Sequence, residues 1–262
     1  METITKAYQP IIEILEEEYE IPQLNRTRRI AVLLPHDYYQ SGKQYPVLYL
    51  HDGQNLFDDY APYGNWGIDK SLASLSKQGK GDVIIVAIDH GGVLRIKELL
   101  PYPTSKFTEV EGQLYLKFMM ETLKPRIDKE YRVLADRNNT GIGGSSLGGF
   151  ISLYAGFNYR HIFGKLLIFS PSLWISEEIY SLAKKYVPFG PTDLYLYAGG
   201  MESSNHYGNV LRLENILQEK RKYDDFDIHF AHNPNGQHGE IYWGQQFPVA
   251  LRWLFKNTSP KN

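Results

Sequence analysis

The chain has 262 residues, enough for a large domain with a sizeable core. Lys and Arg number 28 against 30 Asp and Glu, and the resulting formal charge of −2 argues against a dedicated nucleic-acid binder, because no global positive field exists to hold a polyanion. The chain contains no cysteine, which excludes thiol nucleophiles, thiolate metal sites and disulfide scaffolds.

The sequence shows no internal repeat and no linker rich in Pro, Gly or Ser, so we expect residues 1–262 to form a single domain. The first residues lack the basic start, apolar run and small-residue cleavage site of a signal peptide. No apolar run is long enough to span a bilayer. We therefore expect a cytoplasmic protein with no membrane partner, and the sequence gives no indication of its oligomeric state.

Short apolar or alternating runs predict eight strands. In chain order they are Ile11–Ile21, Arg28–Leu34, Val47–His51, Val83–Asp89, Thr140–Gly144, Lys165–Phe169, Leu194–Tyr197 and Phe226–Ala231. The first run alternates apolar and polar residues, as expected of a half-exposed strand, and a turn leads from it to the second. The fourth run is almost continuously apolar, which is typical of a strand buried on both faces.

Apolar residues at helical spacing predict helices between the later strands. They are Gln113–Glu130, Leu147–Phe157, Ser176–Tyr186, Asn209–Lys222 and Gly239–Phe255. Strands alternate with helices after residue 46, and this alternation predicts an α/β fold whose mostly parallel sheet carries helices on both faces. The first two strands are expected to pair antiparallel at one edge. Function in such sheets collects at the carboxyl ends of the strands.

Residues 144–148 read GSSLG and match the pattern G-x-S-x-G, with Ser146 at its centre. The pattern alone is weak evidence in a chain with 23 glycines. Its position between a predicted strand and a predicted helix is typical of a tight turn that presents a nucleophilic serine. The turn also places the Leu147 N–H at the positive end of a helix, where it can stabilise an oxyanion. The alternative is a Gly-Ser turn without chemistry.

A serine nucleophile needs a base, and in this chain order the base follows it. Of the later histidines, His229 lies inside a predicted strand, and His206 precedes a predicted helix as a possible plain neighbour. His232 and His238 both fall in the predicted loop after the last strand. We favour His238, because Gly236 and Gly239 flank it and allow a close approach. The sequence leaves His232 open as the base.

The third catalytic group is expected in the loop after the strand that ends near Tyr197, and Glu202 lies there. Acidic residues at the opposite ends of strands are poorly placed; these are Asp193, Asp224, Asp225 and Asp227. The loop after Val47–His51 is expected to supply a second oxyanion donor, and the backbone N–H of Gln54 is the candidate. Asp52, Asp58 and Asp59 lie too far apart, without a histidine pattern, to predict a metal. No cofactor is expected.

Taken together, these residues resemble the putative-esterase family of α/β-hydrolases, which includes esterase D, enterobactin-type siderophore esterases and carbohydrate esterase family 1. The matching segments span about residues 26–256 and are YPVLYLHDGQNLF (45–57), GGSSLGG (143–149), FSPSLW (169–174), AGGME (198–202) and GQH (236–238). The resemblance implies the α/β-hydrolase fold, with Ser146 as nucleophile, His238 as base and an acid near Glu202.

The resemblance also implies that Trp66, Arg95 and Trp174 lie near a substrate pocket, and Tyr242 could join them. Each has a plain alternative, such as a packed tryptophan or a surface Arg95 paired with Glu98. Lys and Arg are scattered, without the dense cationic cluster that a tri-catecholate siderophore would need.

The resemblance thus implies hydrolysis of a small-molecule carboxylic ester, with feruloyl, acetyl-sugar and siderophore-type esters as candidates. Two alternatives stay open: an acyltransferase on the same scaffold and a non-catalytic binding module.

Overall fold

The computed structural model describes residues 7–59, 61 and 64–256, and its centre is one eight-stranded sheet. The strands lie in the order β1-β2-β4-β3-β5-β6-β7-β8. They are β1 Ile11–Ile21, β2 Arg26–Leu34, β3 Val47–His51, β4 Ile84–Ile88, β5 Thr140–Ser145, β6 Lys165–Phe169, β7 Thr192–Gly199 and β8 Phe226–Asn233. β1 pairs antiparallel with β2, and β2 pairs antiparallel with β4. All other pairs are parallel, so the predicted sheet and its antiparallel N-terminal edge are confirmed.

Helices cover both faces of the sheet. They are α1 Gln54–Phe57, α2 Ile68–Ser76, α3 Arg95–Leu99, α4 Gly112–Phe118, α5 Lys124–Glu130, α6 Leu147–Asn158, α7 Glu178–Lys185, α8 His206–Gln218 and α9 Glu240–Leu254. A π-helical turn joins α4 to α5. No helix in the described ranges combines the length and apolarity that a bilayer crossing requires.

The sheet separates two apolar layers, and alternate residues of a strand enter different layers. Val32 of β2 packs in the layer that contains α4 to α8, whereas the next residue, Leu33, packs in the layer that contains α2 and α9. Both side chains are fully buried. A strand buried on both faces reads as a continuous apolar run, which is why the sequence identified these strands.

Several boundaries differ from the sequence prediction. α8 begins at His206 instead of Asn209, and β8 continues through His232 to Asn233. The sequence analysis did not predict the three short helices α1, α2 and α3, which lie in the connections that follow β3 and β4. Because of the first two differences, His206 lies within α8 and His232 lies within β8.

The packing of α9 depends on a glycine at a close backbone contact. A Cβ at Gly244 would lie 2.3 Å from the backbone oxygen of Trp66, in the segment that leads into α2. At Gly208 of α8, by contrast, a Cβ would meet no atom within 4 Å beyond the neighbouring residues and backbone of its own helix. Gly244 therefore lets α9 lie directly against the backbone of the opposite segment.

We expect Gly244→Ala to destabilise the protein by about 1–3 kcal/mol, because a rigid backbone contact must open to admit the methyl group. Gly208→Ala is the matched control and should stabilise it by about 0.5–1 kcal/mol through helix propensity alone. Thermal unfolding of both variants measures the difference. Equal melting temperatures in the two variants would show that the Trp66 contact does not constrain α9.

Candidate active site

Three residues that directly follow neighbouring parallel strands have left-handed backbone angles. Asp52 follows β3 with a φ of 59°, Ser146 follows β5 with a φ of 55°, and Ser170 follows β6 with a φ of 42°. Among the described residues, Asn25 is the other non-glycine residue with a positive φ. Such a conformation costs about 1–3 kcal/mol and persists only where the surroundings impose it. We infer from the cluster that this sheet edge is the candidate functional site.

Backbone contacts hold the turn at Ser146 on both sides. The Ser146 N–H donates to the Phe169 carbonyl at 3.0 Å, and the Ser146 carbonyl accepts from the Ser172 N–H at 3.0 Å. A Cβ at Gly144 would lie 3.1 Å from the carbonyl carbon of Gly148, so the first glycine of the motif permits close packing of strand against helix. The turn therefore needs the glycine spacing for a steric reason.

The Ser146 hydroxyl lies in a half-buried position at the start of α6. Its Oγ is 3.1 Å from the Oγ of Ser172. No hydrogen bond joins Ser146 to His238 in this structure, although both residues line one cleft. In ligand-free enzymes such contacts are often long or absent and form only with substrate.

His238 and Glu202 form a short, charge-assisted contact beside this serine. His238 Nδ1 lies 2.6 Å from Glu202 Oε2. Only 1% of the Glu202 side chain is exposed, against 42% for His238. An ionised carboxylate can only accept hydrogen bonds, so Nδ1 carries a proton, and in the neutral ring Nε2 then keeps its lone pair. The contact orients the ring as a proton acceptor.

The second oxygen of Glu202 is also fully bonded. Oε1 accepts from the Ser170 hydroxyl at 2.6 Å and from the Gly199 N–H at 2.7 Å. The Trp243 indole N–H donates in turn to Ser170 Oγ at 2.9 Å. Burial alone raises the pKa of Glu202, but the hydrogen bonds from His238 and Ser170 outweigh it and hold the pKa below its usual value. Glu202 is therefore a carboxylate at neutral pH.

His206 also contacts Glu202, and the sequence analysis treated it as a possible plain neighbour of a helix. It is the first residue of α8, it is buried, and its Nε2 lies 3.1 Å from Glu202 Oε2. The spacing of four residues between Glu202 and His206 is the one signal in the sequence that could have indicated this contact.

The structure brings His238, and not His232, to Glu202. His232 lies within β8 instead of the loop that the sequence predicted, because the strand continues to Asn233. Its ring is exposed and packs on Tyr207 at a centroid distance of 4.2 Å. His229, which also belongs to β8, stacks on Tyr195 of the neighbouring strand β7 at a centroid distance of 4.9 Å. Neither ring lines the cleft.

The cleft that contains Ser146 has a volume of about 640 Å³, a size suited to a small-molecule ligand. Eight of the eleven described residues that line it are polar or charged. The described residues that line it are Asp52, Asn55, His90, Gly92, Val93, Arg95, Ser145, Ser146, His238, Glu240 and Trp243.

The two predicted oxyanion donors lie at helix starts beside the cleft. Gln54 is the first residue of α1 and Leu147 the first residue of α6, and the first amides of a helix have no partner within it. A Cβ at Gly148 would lie 3.1 Å from His51 Cβ, so the end of β3 packs against the start of α6. Neither donor is among the described residues that line the cleft, and their role stays a prediction.

Arg95 lines the cleft, and two of its guanidinium nitrogens are paired with a carboxylate. Its Nε is 2.6 Å from Asp52 Oδ1 and its second terminal nitrogen is 2.7 Å from Asp52 Oδ2. Glu98, the alternative partner considered from the sequence, pairs instead with Arg26 and Arg28. The bidentate pair fixes the loop after β3 against α3.

The other three residues implied for substrate binding lie outside the cleft lining. Trp66 is a core residue that stacks on Phe169 at 5.3 Å, in the apolar layer that contains α2 and α9. Trp174 is 55% exposed, with the Lys106 ammonium 5.4 Å from its ring. Tyr242 is half-buried outside the cleft, whereas its neighbour Trp243 lines it. No sequence pattern distinguishes Trp243 from the other residues of α9.

Asp58 and Asp59, two of the aspartates considered above as metal ligands, form ion pairs within the protein. Asp58 lies 3.6 Å from Arg29, and Asp59 lies 3.9 Å from Lys70. The described residues contain no group of three His, Asp or Glu side chains placed to hold a metal ion. Glu240 accepts from the Asn55 amide at 3.3 Å, and burial, with the nearby charge of Asp52, raises the pKa of Glu240.

A buried histidine lies beneath the cleft at the end of β3. His51 is 1% exposed, and its Nδ1 lies 2.9 Å from the Tyr115 hydroxyl. Burial lowers the pKa of His51 to about 4. The ring is therefore neutral in the folded protein, whereas an unfolded chain protonates it near pH 6.5.

We expect this difference to make the folded protein less stable as pH falls from about 6.5 toward 4, because only the unfolded state gains the proton there. One proton contributes a slope of up to about 1.4 kcal/mol per pH unit. Urea unfolding between about pH 7 and pH 5 should give a shallower loss of stability for His51→Gln than for the wild type. Identical slopes would show that His51 does not titrate differently on folding.

Comparison with known proteins shows which sequences and folds this chain is similar to. The profile of the family described as "Putative esterase" matches residues 21–254. The uncharacterized protein YbbA of Bacillus subtilis is 25% identical over 246 residues, which cover 88% of this chain and 94% of YbbA. The esterase Rv1288 of Mycobacterium tuberculosis is 33% identical over 133 residues, 50% of this chain and 26% of Rv1288.

Among solved structures, an IroE-like serine hydrolase from Shewanella oneidensis superimposes with a TM-score of 0.76. The two share 21% identity, and the match covers 96% of this chain and 81% of the other. With the strand order described above, this likeness shows the α/β-hydrolase fold.

Proposed function

The chain belongs to the Putative esterase family and is a carboxylic ester hydrolase, and we propose that it works as a serine esterase through an acyl-enzyme on Ser146. The observation that carries the proposal is the contact of 2.6 Å between His238 and the buried Glu202, beside a serine on a strained strand-to-helix turn. A serine, an oriented imidazole and a buried carboxylate are the three groups that this chemistry requires.

In the proposed reaction, the Ser146 hydroxyl turns from Ser172 toward His238 when an ester occupies the cleft. His238 Nε2 accepts the hydroxyl proton while Oγ bonds to the ester carbonyl carbon. Collapse of the tetrahedral intermediate breaks the bond to the alcohol oxygen, and His238 returns the proton to that oxygen. Water then attacks the acyl-enzyme by the same route, which releases the acid and restores Ser146.

The oxyanion of each tetrahedral intermediate is assigned to the amides of Leu147 and Gln54. Each amide belongs to the first turn of a helix, where N–H groups lack partners within the helix and the dipole favours negative charge. Glu202 remains ionised throughout, because its hydrogen bonds keep its pKa low, and it stabilises the imidazolium that forms on His238.

The charges in the cleft favour an uncharged ester. Arg95 is the one Lys or Arg among the described residues that line the cleft, and Asp52 already pairs with it. The remaining Glu240 adds a further carboxyl group to the lining. An anionic substrate would meet no free cation there, so we propose a neutral feruloyl or acetyl-sugar ester in preference to a polyanionic siderophore ester.

The test combines turnover with labelling of the nucleophile. We expect the wild type to hydrolyse a short p-nitrophenyl ester near neutral pH with or without a chelator, and a fluorophosphonate to label one serine, Ser146. Product analysis with added sugar or amine acceptors distinguishes hydrolysis from acyl transfer. A protein that neither turns over such esters nor reacts with the fluorophosphonate would contradict the serine mechanism and favour a binding module.

A further inference from the structure

We propose that His206 is a positioning residue that acts through Glu202, as a second imidazole donor to the carboxylate that orients His238. The inference rests on the proposed function, because it assigns a role within the same catalytic group. His206 Nε2 lies 3.1 Å from Glu202 Oε2, the same oxygen that His238 contacts. One carboxylate oxygen therefore lies between two histidine rings.

The atoms around His206 leave it one polar partner on this side. Only 6% of its side chain is exposed, and Nε2 is fully buried with no hydrogen bond to any described residue. The ring N–H is not turned for a straight hydrogen bond to Glu202, although the distance permits one. A buried N–H without an acceptor costs free energy. We therefore assign Glu202 Oε2, the carboxylate oxygen 3.1 Å away, as the acceptor of the His206 N–H.

The distance also fixes the proton of His206. A lone pair on Nε2 would repel the Glu202 oxygen at 3.1 Å, so Nε2 must carry the hydrogen. Burial lowers the pKa of His206 and outweighs the nearby charge of Glu202, which raises it. His206 is therefore a neutral donor. This matters in the reaction, because the two rings lie 6.0 Å apart and two imidazolium ions there would repel each other.

The position of His206 keeps Glu202 in place as the charge moves. Oε1 is held by Ser170 and Gly199, and the N–H that we assign to His206 Nε2 lies beside Oε2, at an N to O distance of 3.1 Å. An N–H of His206 that donates to Oε2 reduces the negative charge that Glu202 presents to His238. Without it, Glu202 holds a protonated His238 more tightly in the resting enzyme, and His238 must lose that proton before it can act as base.

The ionisable groups that face this cluster are few. The charges of Glu202 and His238 shift the pKa of His206. The charge of His238 lowers the pKa of Glu240, and the charge of Glu202 raises the pKa of Tyr197. Of these, Glu202 is ionised at neutral pH. The acid limb of the kcat/KM profile therefore reports the charge balance among these groups.

The test compares two substitutions of His206 that differ in hydrogen bonding. His206→Phe fills the volume without a donor, and His206→Gln places an amide N–H near the original Nε2. We expect His206→Phe to lower kcat/KM about 10- to 100-fold and to move the acid limb to higher pH, because the Glu202 charge is then less balanced. His206→Gln should restore most of both. His232→Gln, on the exposed ring outside the cleft, is the control and should match the wild type.

A packing role would give the opposite order, with His206→Phe nearer to wild type than His206→Gln and the acid limb unmoved. A reversed order of the two activities, or an acid limb that does not move in His206→Phe, overturns the proposal. In a Glu202→Gln background, His206→Phe should add little further loss, because its route through the carboxylate is gone. Inactivity of the wild type and of the His232→Gln control would instead refute the esterase proposal. The downfield proton of the His238–Glu202 contact tests His206 without turnover: its titration midpoint should rise in His206→Phe, and an unchanged midpoint would refute the role.

Discussion

Replacing Ser146 with alanine should lower kcat for a p-nitrophenyl ester by about a million-fold, to the rate left by binding and the oxyanion donors alone. The serine oxygen forms the bond to the acyl group, and no other described hydroxyl in the cleft follows a strained strand-to-helix turn. The backbone bonds of the turn, from Ser146 N–H to Phe169 and from Ser172 N–H to Ser146, do not involve the side chain, so the fold should survive the change.

The control for this variant is Ser181→Ala, which removes an exposed hydroxyl on α7 that is not among the described residues lining the cleft. Its kcat should equal that of the wild type. Steady-state kinetics and intact-protein mass spectrometry after fluorophosphonate treatment measure the two effects together. A Ser146→Ala protein that keeps wild-type turnover, or still gains the label, would place the nucleophile elsewhere.

Replacing His238 with alanine should reduce kcat by a similar factor, because the proton of Ser146 then has no acceptor. The groups of such a site act as a unit, so the double variant Ser146→Ala/His238→Ala should be no slower than either single variant. Steady-state kcat for the three proteins measures this non-additivity. Losses that multiply in the double variant would mean that the two residues act in separate steps.

His232→Ala is the matched control, since the sequence left His232 open as the base. Its ring packs on Tyr207 outside the cleft, and we expect wild-type kcat. If His232→Ala lost activity while His238→Ala retained it, the assignment of the base would be wrong.

The sequence predicted the sheet well because buried parallel strands carry a strong local signal. The run Val47–His51 is short, apolar and followed by turn residues, and the structure has a strand with these bounds. Helix starts carry a weaker signal. Gly208 lowers helix propensity near the start of α8, and the helix predicted from the sequence begins after it, at Asn209, whereas the observed helix begins at His206.

The catalytic candidates could be located from chain order, whereas the walls of the cleft could not. Ser146, Glu202 and His238 follow the ends of different strands, and parallel topology brings those ends to one edge. Which side of a helix faces that edge depends on its rotation, and one residue turns the helix by about 100°. Tyr242 and Trp243 therefore point in different directions, and only Trp243 reaches the cleft.

The left-handed residues at the strand ends also bear on protein design. A procedure that sought the most stable sequence for this backbone would write glycine at positions 52, 146 and 170, because glycine adopts these angles at little cost. The chain instead carries an aspartate that binds Arg95, a serine in the cleft and a serine that bonds Glu202. The disagreement between the optimum for folding and the residues present would reveal this sheet edge to a designer who knew no enzymology.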